Sequence, residues 1–482
     1  MADEAILKQE FEAIVGPDRV STEGPVLIAY ERDQHWPFVT PMRPGIVVQP
    51  ISTEEVQKIL KLANEKKIPV VPMSRGVNVR GLCVPEKPGS IMLDLRRMNH
   101  ILEINPEMMT ATIEPGVTHG QMQIAAREKG CRICIPGAPA TGSLLANYML
   151  RGVYHTIAGD GVDNVLSVEI VLPDGRLLKA GSLSFPNSPP HWRYTSGPDF
   201  VGLFQSQPGT MGVCTKMTIK LYPLPEHEIW FMVGFNTIEE AISVIPPLMW
   251  AQIPSVCWVL PQFTVIKLIA KSTKELEKLR GTFPEFTVPI TIDGPKEIVE
   301  AKARYAQDII NKTCKPKTGG KPIPPPSNFV KEFMYPRNIL GFLRQGSYHA
   351  LAYWGPLNKY PEYYAMMKEN GVKAGYPREQ VDLLAAPVAG FHGQACYYEA
   401  EVPYSSAKPE TVEMVKKFHF DTLKDLVEIG IYGWFRPFQH PMQIFLDRLG
   451  TYGDLWKDIL KLVDPNGIMN PGKVFAIEKG EK

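Results

Sequence analysis

Thirty-nine glycines and 45 prolines punctuate this chain of 482 residues, and each one placed inside a helix costs about 1 to 3 kcal/mol. That density argues against an all-α fold and for many short strands joined by tight turns. A prior of ~150 residues per domain divides the chain into two or three domains, or one large α/β assembly with room to bury a sizeable ligand. Lys and Arg number 52 against 51 Asp and Glu, a net charge of +1. No global field therefore draws nucleic acid or an acidic membrane surface.

The opening MADEAILKQEFEAIVG carries acids where a signal peptide needs an apolar core. No run of ~18 uncharged apolar residues occurs, and the expectation is a soluble, cytoplasmic protein without a membrane span. Seven cysteines, Cys83, Cys131, Cys134, Cys214, Cys257, Cys314 and Cys396, form an odd and scattered set that suits reduced thiols. Cys131-Arg-Ile-Cys134 is the single CxxC. It lacks the further ligands that zinc or an iron-sulfur cluster needs, so it reads as strand and no metal is expected.

The order of elements is α+β with short strands. Residues 53–66 have the N-cap, early acids and apolar spacing of a helix, and 119–129 and 143–150 read as two more. Residues 68–72, 91–95, 101–105 and 109–114 are short β-rich runs, and 165–172 and 176–180 form a hairpin around Pro173-Asp174-Gly175. This texture runs to about Pro225. From Glu228 a strand-like IWFMVGF and a helix opened by Thr237 begin a second domain, which contains a Pro-rich surface loop at 315–327. A last helix over 454–462 leads into Asp464-Pro-Asn-Gly467.

The dinucleotide fingerprint GxGxxG is absent, so a Rossmann site has no direct support. Gly467-Ile-Met-Asn-Pro-Gly472-Lys473 matches GxxxxGK, but Val474 stands where a P-loop needs Ser or Thr. More informative is Pro72-Met-Ser-Arg-Gly-Val-Asn-Val-Arg-Gly81, which follows a buried-looking strand. Successive N-H groups in such a turn can converge on phosphate oxygens, and glycine permits the close approach; the plainer alternative is a tight turn. A second small-residue stretch, Pro136-Gly-Ala-Pro-Ala-Thr-Gly-Ser143, precedes another helix start. Two such loops suit a diphosphate.

The stretches PMSRGVNVRG, GSIMLDLRRMNHILEINPEMMTATIEPGVTHGQM and GSLLANYMLRGVYHTIAGDGVDNVLSVEIVLPDGRLLKAG resemble, in order and spacing, the FAD-binding domain of the vanillyl-alcohol oxidase and p-cresol methylhydroxylase family. GLFQSQPGTMGVCTKMTIKLYPLPE resembles that domain's closing strand, and DPNGIMNPGK the C-terminal return to the flavin. The resemblance implies a two-part FAD-binding domain of this type at 1–226, an α+β cap or substrate domain with a ferredoxin-like sheet at 227–430, and a returning segment at 431–482. It implies FAD with its diphosphate held by Ser74, Arg75, Gly76, Val77 and Asn78 and by Thr141, Gly142 and Ser143, with Asn147 on the following helix. Gly212 and Val213 fall against the adenine or ribitol end, and 470–473, with Asn470 and Lys473, close over the flavin.

For the pocket, the resemblance places Arg436 where the family's substrate-polarising arginine belongs, within Gly433-Trp-Phe-Arg-Pro. The tyrosines that accompany it in phenol-oxidising members are replaced by Phe435, by the surroundings of His155 and by those of Arg80. His155 is a candidate general base toward an alcohol, the alternative being a hydrogen-bonded core histidine. Arg80 either faces an anionic substrate or neutralises the diphosphate. His392, Cys396 and Tyr397 are candidates for a covalent flavin link, with noncovalent FAD the default. The aromatic pairs Tyr353-Trp354, Tyr363-Tyr364 and Tyr397-Tyr398 read as core packing or as the walls of a flat substrate slot.

The implied activity is that of an FAD-dependent oxidoreductase, moving hydride from a substrate C-H to flavin N5. The substrate is a para-substituted phenol or benzylic alcohol, or alternatively a 2-hydroxy acid. Electrons then pass to an electron-transfer protein or subunit, and the chain is expected to pair as a homodimer. A noncatalytic flavin electron-relay subunit is the reading from outside enzymes.

Overall fold

The computed structural model describes residues 2–33, 38–78, 80–134, 139–150, 161–270, 272–313, 347–378, 381–386, 395–433 and 441–475. His155, His392, Arg436 and the Pro-rich loop at 315–327 lie outside them.

Short strands bounded by Gly and Pro assemble first into a four-stranded sheet in the order Val20–Ser21, Ile46–Val48, Ile91–Asp94, Val70–Met73. The last three run parallel, and Val20–Ser21 adds an antiparallel edge. The connection between Ile46–Val48 and Val70–Met73 is the helix Thr53–Lys66, whose Ser52 hydroxyl caps the Glu55 N-H and whose first turn carries Glu54 and Glu55. Val56, Ile59, Leu60 and Ala63 recur at helical spacing and are fully buried against Phe11 and Val15 of the first helix, Ala2–Val15.

A five-stranded antiparallel sheet follows, in the order Ile101–Asn105, Thr110–Ile113, Val213–Lys220, Val165–Val171, Leu177–Gly181. Val165–Val171 is the sheet's most buried strand, and it forms the expected hairpin with Leu177–Gly181. The helix His119–Glu128 opens with a capping box of Thr118 and Gln121. Cys131–Arg132 is a short strand paired with Tyr222–Pro223, and Cys131 and Cys134 both sit in this sheet's apolar core.

Strands from 227 onward build two further four-stranded antiparallel sheets rather than one. The first is centred on Phe286–Gly294, flanked by His227–Phe235 on one side and by Val256–Cys257 and Leu260–Pro261 on the other. The second has the order Asp382–Ala386, Ala395–Tyr404, Ser347–Pro356, Tyr432–Gly433. Both contribute to a single apolar core with the helices Lys296–Thr313, Tyr360–Ala374 and Pro409–Glu428. The paired tyrosines belong to that core: Tyr363 stacks on Tyr398 at 4.8 Å between centroids, and Tyr353 meets Tyr363 edge-on at 6.2 Å.

After the helix Thr451–Val463 the chain returns to the first sheet. Ile468 and Met469 N-H groups donate to the Asp464 carboxylate, and this turn sets Met469 beside Val70 in a parallel bridge. Among the described residues no helix is long and apolar enough to cross a membrane.

Candidate functional site

Four segments meet around a cleft of ≈ 1420 Å³ of empty space, open mouth included. Its wall is formed by 72–78 with Arg80, Leu82 and Cys83, by 142–150 with His119, by 204–214, and by Asn470.

The strand Val70–Met73 delivers the first segment. Gly76 turns it at φ 70, a left-handed conformation that a side chain disfavours. Asn78 Oδ1 then accepts from the Arg80 and Leu82 N-H groups at 2.7 and 3.4 Å, which folds the chain back. Among the described residues the amides of Arg75, Gly76, Val77 and Asn78 donate to no protein acceptor, and all four residues line the cleft. A row of unspent donors is the complement of a diphosphate.

The second segment is more committed. Ser143 caps the helix Leu144–Met149 by accepting from Ala146 N-H and donates to the Pro115 carbonyl at 2.6 Å, so its hydroxyl is spent on structure. Gly142 and Asn147 line the cleft, whereas Thr141 is exposed outside its wall. The third segment contributes Gly209, where a Cβ would lie 2.4 Å from Pro72 Cγ, together with Gly212 and Val213.

Asn470 closes the fourth side. It sits at φ 41, accessible to Asn more readily than to most residues, and is 1% exposed. Its Nδ2 donates to the Leu82 and Pro208 carbonyls at 3.1 and 2.6 Å, tying the first segment to the third. Its Oδ1 is buried and has no hydrogen-bond partner among the described residues. An acceptor left in that state costs about 1 to 3 kcal/mol, which a ligand N-H at the cleft wall recovers. Lys473 plays a different part: its Nζ lies 2.7 Å from Glu86 Oε1, both side chains are buried, and it is not in the wall.

Three wall residues were missed as candidates in the sequence. His119, which reads there as an ordinary helix start, is 3% exposed, and burial pushes its pKa down to about 4 against the opposing pull of Gly142, Pro139 and Asn147. It is a neutral imidazole at neutral pH. Gln207 lines the wall while accepting from Thr210 and Trp456. Cys83 is held as the thiol, its pKa pushed up to about 12 by burial and by Asp33. Arg80 is in the wall and 3% exposed. Tyr397 is buried edge-on against Trp354 at 5.7 Å, and Cys396 lies on the same strand, Ala395–Tyr404.

The unspent amides and the lone Asn470 acceptor fit a molecule with a diphosphate and a heterocyclic N-H, as FAD has. Residues 44–181 match the FAD binding domain family. The chain is 33% identical over 247 residues to the flavoprotein subunit of 4-cresol dehydrogenase (hydroxylating) from Pseudomonas putida, covering 50% of this chain and 47% of that one. It is 27% identical over 318 residues to a glycolate oxidase subunit of Bacillus subtilis, covering 64% and 63%. A D-lactate dehydrogenase of Archaeoglobus fulgidus is 32% identical over 232 residues, covering 47% and 50%. The chain spans about half the length of most of these relatives. Among solved structures, p-cresol methylhydroxylase with substrate bound superposes with a TM-score of 0.86 at 23% identity, covering 99% of this chain and 98% of the other.

Proposed function

From the premise that the chain belongs to the vanillyl-alcohol oxidase and p-cresol methylhydroxylase family of FAD-linked proteins, we propose that it is a dehydrogenase acting on a para-substituted phenol or benzylic alcohol. Residues 1–226 and 431–482 form the cofactor-binding part in this reading, and 227–430 the cap over the substrate. The observation that carries it is the wall of unspent amides at 75–78 facing the Asn470 acceptor across one cleft.

When bound, FAD supplies the two-electron acceptor at flavin N5 for the hydride that leaves the substrate C-H. The chain's own residues do the rest. Amides 75–78 would hold the diphosphate and Asn470 Oδ1 would accept from a heterocyclic N-H, with Gly142, Gly212 and Val213 lining the same cleft. Arg436 polarises the substrate oxygen and His155 takes the proton from a substrate hydroxyl; both assignments rest on the family resemblance. A 2-hydroxy acid is the second reading, favoured by one observation: a buried guanidinium, Arg80, stands in the cleft wall.

Electrons pass to a separate electron-transfer protein, a reading supported by the relative that is itself a flavoprotein subunit. The free cysteines among the described residues support a reducing, cytoplasmic setting, and the homodimer follows from the resemblance alone. The test is spectroscopic. A yellow protein that releases FAD on acid precipitation and bleaches anaerobically with 4-alkylphenols supports the reading. Bleaching with 2-hydroxy acids alone replaces the substrate class, and a colourless protein that FAD does not reconstitute overturns it.

A further inference from the structure

His119 opens the helix His119–Glu128, and the 139–144 turn folds over it. The His119 and Gly120 N-H groups donate to the Gly142 and Ala140 carbonyls at 3.2 and 3.0 Å, and the Leu144 N-H donates to the Val117 carbonyl at 3.0 Å. The Gln121 N-H is held by the Thr118 hydroxyl. The first amides of this helix are therefore spent on the turn and the cap, whereas the imidazole is not. It is 3% exposed and lines the cleft with Gly142 and Asn147, and both ring nitrogens are buried without a hydrogen-bond partner among the described residues. Pro139, Gly142 and Asn147 lie near enough to favour the protonated ring but complete no bond to it. Buried polar groups are paired in all but a few cases, and the cleft is where the missing partner of this one has room.

We propose that His119 is a direct ligand of the cofactor's diphosphate: a ring N-H donates to a phosphate oxygen, and the bound anion draws a second proton from solvent onto the ring. This goes beyond the dehydrogenase reading, since it concerns the hold on FAD and is the same for any substrate. A neutral imidazole keeps one N-H donor, and beside an anion the imidazolium offers two in charge-assisted bonds. In the FAD-free fold burial holds the ring neutral, with a pKa of about 4. An opposite charge within ~4–6 Å moves a pKa back up by about 1 to 3. Few other charges reach the ring. The 139–143 turn carries no titratable side chain, and the helix Leu144–Met149 carries only Tyr148, whose hydroxyl donates to the Cys134 carbonyl. Glu114, ahead of the helix, is paired with His100, and Arg127 and Glu128 lie at the helix's far end. From the facing segment Arg75, Arg80 and the Cys83 thiol line the same cleft. What acts on the imidazole is burial, Pro139, Gly142 and Asn147, with no charged side chain among them.

The experiment dilutes the full-length FAD-loaded protein at pH values from 5 to 8 and obtains the dissociation constant from the fluorescence of released FAD. Wild type should hold FAD about 2- to 100-fold more tightly at pH 5 than at pH 8, the span that a rise of about 1 to 3 from a pKa of about 4 produces. His119→Gln keeps a donor that does not titrate, so it should bind within about tenfold of wild type at pH 8 and lose the pH slope. His119→Phe keeps the volume without a donor and should bind more weakly than His119→Gln at every pH. A flat wild-type profile overturns the proposal, as does a slope that persists in His119→Gln. Where neither variant holds FAD, wild type decides: release of FAD at pH 5 should free up to one proton per flavin into a weakly buffered indicator solution, and release that frees none overturns the bond.

Discussion

Replacing Asn470 with Asp tests the closure of the cleft with the least change in shape. The amide Nδ2 now donates to two buried carbonyls, Leu82 and Pro208. In Asn470→Asp that nitrogen becomes an oxygen, so two acceptors lose their donor and face a third acceptor. Each buried polar group stripped of its partner costs about 1 to 3 kcal/mol, giving about 2 to 6 kcal/mol for the pair. The carboxyl can recover one bond by holding its proton, so the loss should shrink as pH falls toward 5. Urea denaturation followed by fluorescence measures the stability, and the 450 nm to 280 nm absorbance ratio measures FAD content. The expected outcome is a protein destabilised by several kcal/mol that binds little FAD at pH 8 and more at pH 5.5. Wild-type stability and FAD content at both values would refute the view that Asn470 ties the two walls together.

Three other substitutions probe separate parts of the structure. Lys473→Met leaves Glu86 buried without its cation and should cost about 3 to 5 kcal/mol; Lys473→Met with Glu86→Leu should recover most of it, and a selective loss of FAD instead would return Lys473 to the cofactor site. Gly209→Ala drives a Cβ toward Pro72 at φ 72, costing about 1 to 3 kcal/mol by overpacking, and equilibrium dialysis should show weaker FAD binding. His119 has a folded pKa of about 4 against 6.5 unfolded, so the unfolded state binds more protons between those values. Stability is then lost as pH falls from 6.5 to 4, by about 3 kcal/mol at most from this residue. His119→Gln should flatten the slope of urea stability against pH in that window, and an unchanged slope would show that another group sets it.

What the sequence made legible was local. The helix over 53–66, the turn at Asp174-Gly175 and the glycine at 76 each announce themselves within a few residues, because helix starts and turns are built from near neighbours, whereas the Ser52 cap and the Thr118–Gln121 capping box were seen only in the structure. Most of the proposed cofactor residues do line one cleft, and two do not for reasons no short motif displays. Lys473 is captured by Glu86, 387 residues earlier, and Thr141 faces outward although Gly142 beside it faces in. His119 became visible only when the 139–143 turn folded over it, with Gly120 N-H donating to the Ala140 carbonyl at 3.0 Å. The division of the described strands from 227 onward into two sheets was likewise hidden, since strand pairing among distant segments leaves no periodic trace.

The bonds from Asn470 to Leu82 and Pro208 span 388 and 262 residues. At synthesis rates of about 5 to 20 residues per second, the Leu82 carbonyl emerges roughly 20 to 80 s before the amide that seals it. Throughout that interval the nascent cleft lacks one wall, and a flavin arriving early meets an open trough. Closure of this wall therefore waits for translation of nearly the whole chain.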